Sequence, residues 1–176
     1  RQVFFQEEDI GKFKVDVLKD HIEGLNSHCK VSTLKNKSWE MNFNEYSSEM
    51  IFDCSDNFRT KYSLNEACVN NDVPFCNASV SDSDGQIALF ANKVDSHCCY
   101  NCLFPENGDI DANDCAEAGV LGPTVSLVAS LQALIGLKYL LNKFNDTETI
   151  FRVSSKKISI EKNKILSNSS CRLNKL

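Results

Sequence analysis

The stretch from Glu49 to Phe90 constrains the fold more than any other part of this chain. It opens with EMIFDCSDN, a short apolar run that breaks into acidic and small residues. Arg59–Asn71 then carries helical spacing, Val73–Val80 reads as a buried strand opened by Pro74, and Gly85–Phe90 (GQIALF) reads as another strand. Strand, helix, strand in that order is the pattern of an α/β sheet, and ligands of such sheets sit beyond the carboxyl ends of the strands. The rule directs attention to Asp53, Asp56 and Asn57.

The flanks fit around this centre. Asp9–Asn26 places Val15, Leu18, Ile22 and Leu25 at helical spacing, with Asp9 as a cap and Gly24 near the stop. Cys29–Leu34 alternates like a short strand, and 36–49 is polar and turn-rich. The run VLGPTVSLVASLQALIGLKYLL (Val120–Leu141) is long enough for a membrane span, but Ser126, Ser130, Gln132 and Lys138 interrupt it. Gly122-Pro123 is a helix start, so a core helix is expected. Ile150–Ser154 and Lys157–Ile160 read as closing strands.

At 176 residues the chain fits a single domain with a real core. A net charge of −5 argues against a nucleic-acid surface, which normally carries a basic excess. Nine cysteines and the sequons at Asn36, Asn77, Asn145 and Asn168 would suit a secreted disulfide protein. The chain is too large and too apolar to need such staples, so a reduced, cytoplasmic setting is expected.

Four features stand in order: RQVFFQEEDIGKFK, DCSDN, GQIALF followed by CYNCLFPE, and CAEAGVLGP leading into SLQALIGLKYLL. Together they resemble the ThiF/MoeB/HesA family, which adenylates the C-terminal Gly-Gly of small ubiquitin-like sulfur carriers with ATP and magnesium. The resemblance spans Arg1 to about Lys143 and implies the Rossmann-like α/β fold of ubiquitin-activating enzymes. It implies that Arg1 and Lys14 contact ATP phosphates. Fixed cations offset the repulsion when a carboxylate attacks the α-phosphate. It implies that Asp56 holds magnesium, a hard ion that prefers carboxylate oxygen, and that Asn57 helps fix the nucleotide. Read without the resemblance, Asp56 and Asn57 are equally an Asx turn, and Lys14 a solvated lysine.

Cys115, in DCAEAGVLGP, matches a cysteine that some relatives use in sulfur transfer. Its neighbours Asp114 and Glu117 oppose thiolate formation, and a buried packing role stays open. Cys29, Cys54, Cys68 and Cys76 read as packing, and His21 and His28 as surface or core residues.

Residues 97–102 read HCCYNC. The resemblance makes Cys99 and Cys102 the first half of a structural zinc site whose second half lies near the C-terminus. Cys171 supplies a third ligand, but Asn174 stands where the fourth would be. His97, Cys98 or a water completes the tetrahedron, or the zinc has been lost. Reduced packing cysteines or a disulfide are the other readings of the knot.

The family's G-x-G-x-x-G phosphate loop is not found among the seven glycines. The chain is therefore expected to be a partial domain, 1–176, in which the N-terminal nucleotide-binding unit is missing. Two functions fit: an adenylyltransferase for thiamine- or molybdopterin-type carriers, or a non-catalytic module that binds a ubiquitin-like protein without ATP turnover. The family's habit and the apolar helix imply a homodimer.

Overall fold

The computed structural model describes residues 2–92, 98–106 and 119–173. Arg1, His97, Cys115 and Asn174 lie outside the described residues.

Helix α1 (Lys14–Leu25) comes first. It begins five residues after Asp9, because Gly11 takes a left-handed φ of +88° that ends the preceding turn. Asp9 instead accepts hydrogen bonds from the Gln6 amide and the Lys12 ammonium, each at 3.0 Å. Gly24 lies in the last turn, near the stop as expected. The strand expected at Cys29–Leu34 does not form. The segment runs along α1, held by its side chains: Lys19 Nζ donates to the Val31 carbonyl at 2.9 Å, and the Val31 amide donates to Glu23 at 3.4 Å. Its alternation reflects contact with a helix rather than a ladder.

Next come β1 (Ile51–Asp53), α2 (Phe58–Asn70), β2 (Phe75–Ser81) and β3 (Asp84–Phe90). One-turn α3 (Tyr100–Leu103), α4 (Gly122–Leu140), β4 (Thr149–Ser154) and β5 (Ser159–Lys164) follow. The strands form one mixed sheet in the order β1-β2-β3-β4-β5. Only β1 and β2 are parallel, with Asp53 opposite Asn77, and the remaining pairs are antiparallel. The parallel pair needs a crossover, which α2 supplies.

Alternation along the strands divides the core into two layers. Phe75, Ala88, Phe90 and Ile150 pack with Tyr62 and Cys68 of α2 and with Tyr100 of α3. Cys76, Ala78, Ile87, Leu89 and Val153 pack on the opposite face with Val128 and Ile135 of α4. At Gly136 the ring of Phe52 lies so close that a Cβ would collide with it, so the absence of a side chain lets β1 and α4 meet. Helix α4 is long and apolar enough, by length and composition, to cross a membrane. It is a core helix, as expected, with Val128 and Ile135 buried against the sheet, while Leu127, Leu134 and Leu137 remain exposed.

Candidate functional site at the end of β1

Strand β1 ends in Asp53, which is 1% exposed. Its carboxylate is fully occupied. Oδ2 accepts from Lys61 Nζ at 2.8 Å and from Asn77 Nδ2 at 2.6 Å, while Oδ1 accepts from the Ser55 amide at 2.9 Å and from the Ser55 hydroxyl. Asn57 caps α2, its Oδ1 accepting from the Thr60 amide at 2.8 Å. Asn at this position satisfies an otherwise orphaned helix donor. The carboxylate of Asp56, between these anchored neighbours, is exposed and makes no hydrogen bond or ion pair among the described residues.

Two cavities meet here. The smaller, about 310 Å³, has Gln2, Lys14, Cys54 and Asp56 on its walls and α4 residues behind them. The larger, about 540 Å³, lies over β2, β3 and the β4–β5 hairpin and has Arg152, Lys156, Asp84 and Tyr100 around it. Asp56, Lys61, Ser79 and Val80 border both. The structure thus brings Lys14 and Asp56 to one cavity. Lys14 Nζ donates to Gln2 Oε1 at 2.9 Å, which holds the ammonium at the rim. Asn57 reaches the same loop but spends its side-chain oxygen on the helix cap.

Cys54 departs from its expected packing role. The residue is exposed, and its thiol donates to Gln132 Oε1 at 3.6 Å. Desolvation of the thiol, followed by the charge of Asp53, pushes its pKa up, so it is a poor nucleophile as it stands. Cys29 is exposed as well, whereas Cys68 and Cys76 are buried and pushed up to about 12 by desolvation.

A second cluster lies at the knot. The sulfurs of Cys99, Cys102 and Cys171 all lie within 4.8 Å of one another. Cys99 Sγ is 4.0 Å from Cys102 Sγ and 3.7 Å from Cys171 Sγ. Sulfurs bound tetrahedrally at the usual zinc–sulfur length are about 3.8 Å apart, so this triangle fits one face of such a site. Burial works to raise the Cys102 pKa, but hydrogen bonds from the Asn168 and Cys99 backbone and from the neighbouring thiols outweigh it and bring it down. Burial and the Cys102 charge push Cys99 up to about 12. Cys98 falls outside the group. It belongs to the apolar core beneath, and its thiol donates to the Leu166 carbonyl at 3.8 Å. Arg172 reinforces the tail's attachment through Glu106 at 2.9 Å and Glu66 at 3.8 Å.

Sequence reasoning missed the supporting role of three buried polar residues, Lys61, Asn65 and Gln132. Lys61 and Asn65 lie one turn apart on α2, following the N-cap Asn57, and put polar groups on the face that ought to be apolar. Asn65 donates to Asn101 Oδ1 at 2.9 Å and accepts from the Tyr100 amide at 3.0 Å, joining α2 to the cysteine turn. Gln132 of α4 donates to the Asp53 and Cys76 carbonyls, both at 2.9 Å. The available signal was polar residues breaking the apolar faces of two helices.

The ThiF family profile matches residues 1–173. The chain belongs to the ThiF family. The adenylyltransferase and sulfurtransferase MOCS3 of Caenorhabditis briggsae is 35% identical over 144 residues, covering 78% of this chain and 35% of that protein. The sulfur carrier protein ThiS adenylyltransferase of Escherichia coli K12 is 32% identical over 142 residues, covering 80% and 56%. Escherichia coli MccB, crystallised with AMPCPP and MccA, superimposes with a TM-score of 0.78 at 20% identity over 99% of this chain and 55% of that one. The fold is the Rossmann-like α/β type of this ThiF chain's neighbours. The chain spans from about a third to a little over half the length of these relatives.

Proposed function

We propose that this chain forms part of an ATP-dependent adenylyltransferase for the C-terminal Gly-Gly of a ubiquitin-like sulfur carrier of the ThiS or MoaD type, in thiamine or molybdopterin biosynthesis. One observation carries the reading: Lys14 and Asp56, whose carboxylate has no partner among the described residues, line a single cavity beyond the carboxyl end of β1. In the reaction the carrier's terminal carboxylate oxygen bonds to the α-phosphorus of ATP. The bond from that phosphorus to the bridging oxygen breaks, and pyrophosphate leaves with its electron pair.

Three anionic groups converge in that step, and preorganised cations are the economical answer. The nucleotide occupies the smaller cavity, with its phosphates toward Lys14; Arg1, which lies outside the described residues, is the second cation assigned to them. The carrier's tail enters through the larger one, and the two meet at the shared border of Asp56, Ser79 and Val80. Magnesium, held by Asp56, would supply charge neutralisation on the phosphates, and the exposed carboxylate fits a hard ion. Asn57 fixes the loop and the nucleotide beside it. Cys99, Cys102 and Cys171 would hold a structural zinc, which would tie the turn at α3 to the tail. Cys115 serves as the sulfur-transfer nucleophile. The exposed leucines of α4 pair with a second copy in a homodimer, and the enzyme works in the reducing cytoplasm as one ThiF-type domain.

The test is the mass of the carrier after incubation with ATP and magnesium. The reading expects a carrier carrying one adenylyl group, and none with Asp56→Asn. Tight carrier binding with no adduct from either carrier type would overturn it in favour of a non-catalytic docking module, the reading motivated by the absence of a G-x-G-x-x-G cluster from residues 1–176.

A further inference from the structure

We infer that Lys61 is the positioning residue of this site, the group that sets the backbone from which Asp56 projects. The inference rests on the adenylylation reading above. Lysine is almost never fully buried without a specific partner, yet Lys61 is 3% exposed. Its ammonium has three hydrogens and three acceptors: Asp53 Oδ2 at 2.8 Å, the Ser55 carbonyl at 2.8 Å and the Ala78 carbonyl at 3.3 Å. The acceptors lie on β1, on the loop after it and on β2. An apolar residue could join α2 to the sheet, but only a multiple donor can hold carbonyls on both sides of the crevice.

The pair of Lys61 and Asp53 acts on one residue in particular. Ser55 is gripped at its amide and hydroxyl by Asp53 and at its carbonyl by Lys61. On the other side, Asn57 is fixed by its cap to Thr60. Asp56 lies between two immobilised neighbours, so its own side chain needs no protein partner to be aimed. Within 53–57 it is the one side chain without such a partner among the described residues. Lys61 also neutralises Asp53, which prevents two carboxylates from facing the incoming phosphates together. All three of its protons are spent on protein, which makes it a positioning group rather than a contact to substrate.

The polar face of α2 explains why the lysine comes from this helix. Lys61 and Asn65 lie one turn apart on α2 and reach the β1–β2 crevice and the cysteine turn in succession, while Asn57 caps the helix just before them. Lys61 is the middle contact, at the border of both cavities.

Three variants test the role: Lys61→Arg, Lys61→Met, and Asp53→Asn with Lys61→Met, which removes the ion pair without stranding a charge. Two readouts are taken on the full chain, carrier adenylylation kinetics and hydrogen exchange of the amides in 54–57. The double variant is expected to stay folded, lose about 100-fold in kcat with little change in KM for the carrier, and exchange the 54–57 amides about tenfold faster. Lys61→Arg, with donors to spare, is expected to recover most of both. A folded double variant with unchanged kcat and unchanged exchange overturns the inference. Should the neutral variants fail to fold, Lys61→Arg decides, because full activity with lost amide protection would equally overturn it. An inactive unsubstituted chain would count against the adenylylation reading, while the exchange arm would still judge Lys61.

Discussion

Replacing Gln132 removes a clip between the two parallel strands that carry the site. Its amide donates to the carbonyls of Asp53 on β1 and Cys76 on β2, both at 2.9 Å, from a side chain 4% exposed. Gln132→Met keeps nearly the same volume and deletes both bonds. Each is worth about 1 kcal/mol net, and a buried carbonyl left short of a donor costs about 1–3 kcal/mol. The expected loss is about 2–4 kcal/mol. For a chain of 176 residues that corresponds to a fall in melting temperature of roughly 5–15 °C. Gln132→Glu sharpens the test, since a carboxylate cannot donate and would face the same two carbonyl oxygens. Its folded pKa must rise above the unfolded value of about 4.3, because burial beside oxygens disfavours the charge. A raised folded pKa gives stability that is present below the unfolded pKa and lost as pH rises through the folded one. The glutamate variant should therefore be further below the unsubstituted chain at about pH 8 than at about pH 5, as measured by urea unfolding at each pH. A methionine variant within about 0.5 kcal/mol of the unsubstituted chain, with a pH-independent glutamate deficit, would refute the clip.

Three other perturbations reach different parts of the account. Cys171→Ser should lower the metal content of freshly purified protein by about tenfold or more, because one of three clustered thiolates is lost; elemental analysis reads this directly, and unchanged stoichiometric zinc would contradict it. Gly136→Ala should destabilise by about 1–2 kcal/mol, the Phe52 collision outweighing the gain in helix propensity, and Phe52→Leu in the same chain should recover most of it in a denaturant midpoint. Alkylation followed by peptide mass spectrometry should label exposed Cys29 first. Cys54 should follow, accelerating as pH rises because its pKa is raised, and Cys68 and Cys76, at about 12, should stay unmodified until the chain unfolds.

The strands GQIALF and Ile150–Ser154 and the long apolar helix were legible because period and composition agree with where those residues sit. The same logic misread Cys29–Leu34, where alternating residues lie against α1 and its side chains satisfy the backbone that a neighbouring strand would have used. It also placed the first helix too early, since Gly11 was counted as an interior residue rather than a left-handed stop. At the site, the loop DCSDN was visible as a strand end rich in acidic and small residues, and the structure brings Asp56 and Lys14 to one cavity. The support of that loop was not visible. Lys61 looks like any solvated helix lysine until β2 is folded against it, because its acceptors at Asp53, Ser55 and Ala78 come from two different strands and a loop. The sulfur triangle lies between these cases. Cys99 and Cys102 announce themselves by spacing, but Cys171, 72 residues from Cys99, joins them only through tertiary structure.

The most direct test of the central claim is exchange of labelled pyrophosphate into ATP, measured with and without a ubiquitin-like carrier ending in Gly-Gly. Exchange reports reversible attack of a carboxylate on the α-phosphate and nothing downstream of it. The account predicts carrier-dependent exchange that disappears with Asp56→Asn and with a carrier lacking its terminal glycine. Exchange that persists undiminished in Asp56→Asn, or a chain that binds the carrier and never exchanges, would contradict it.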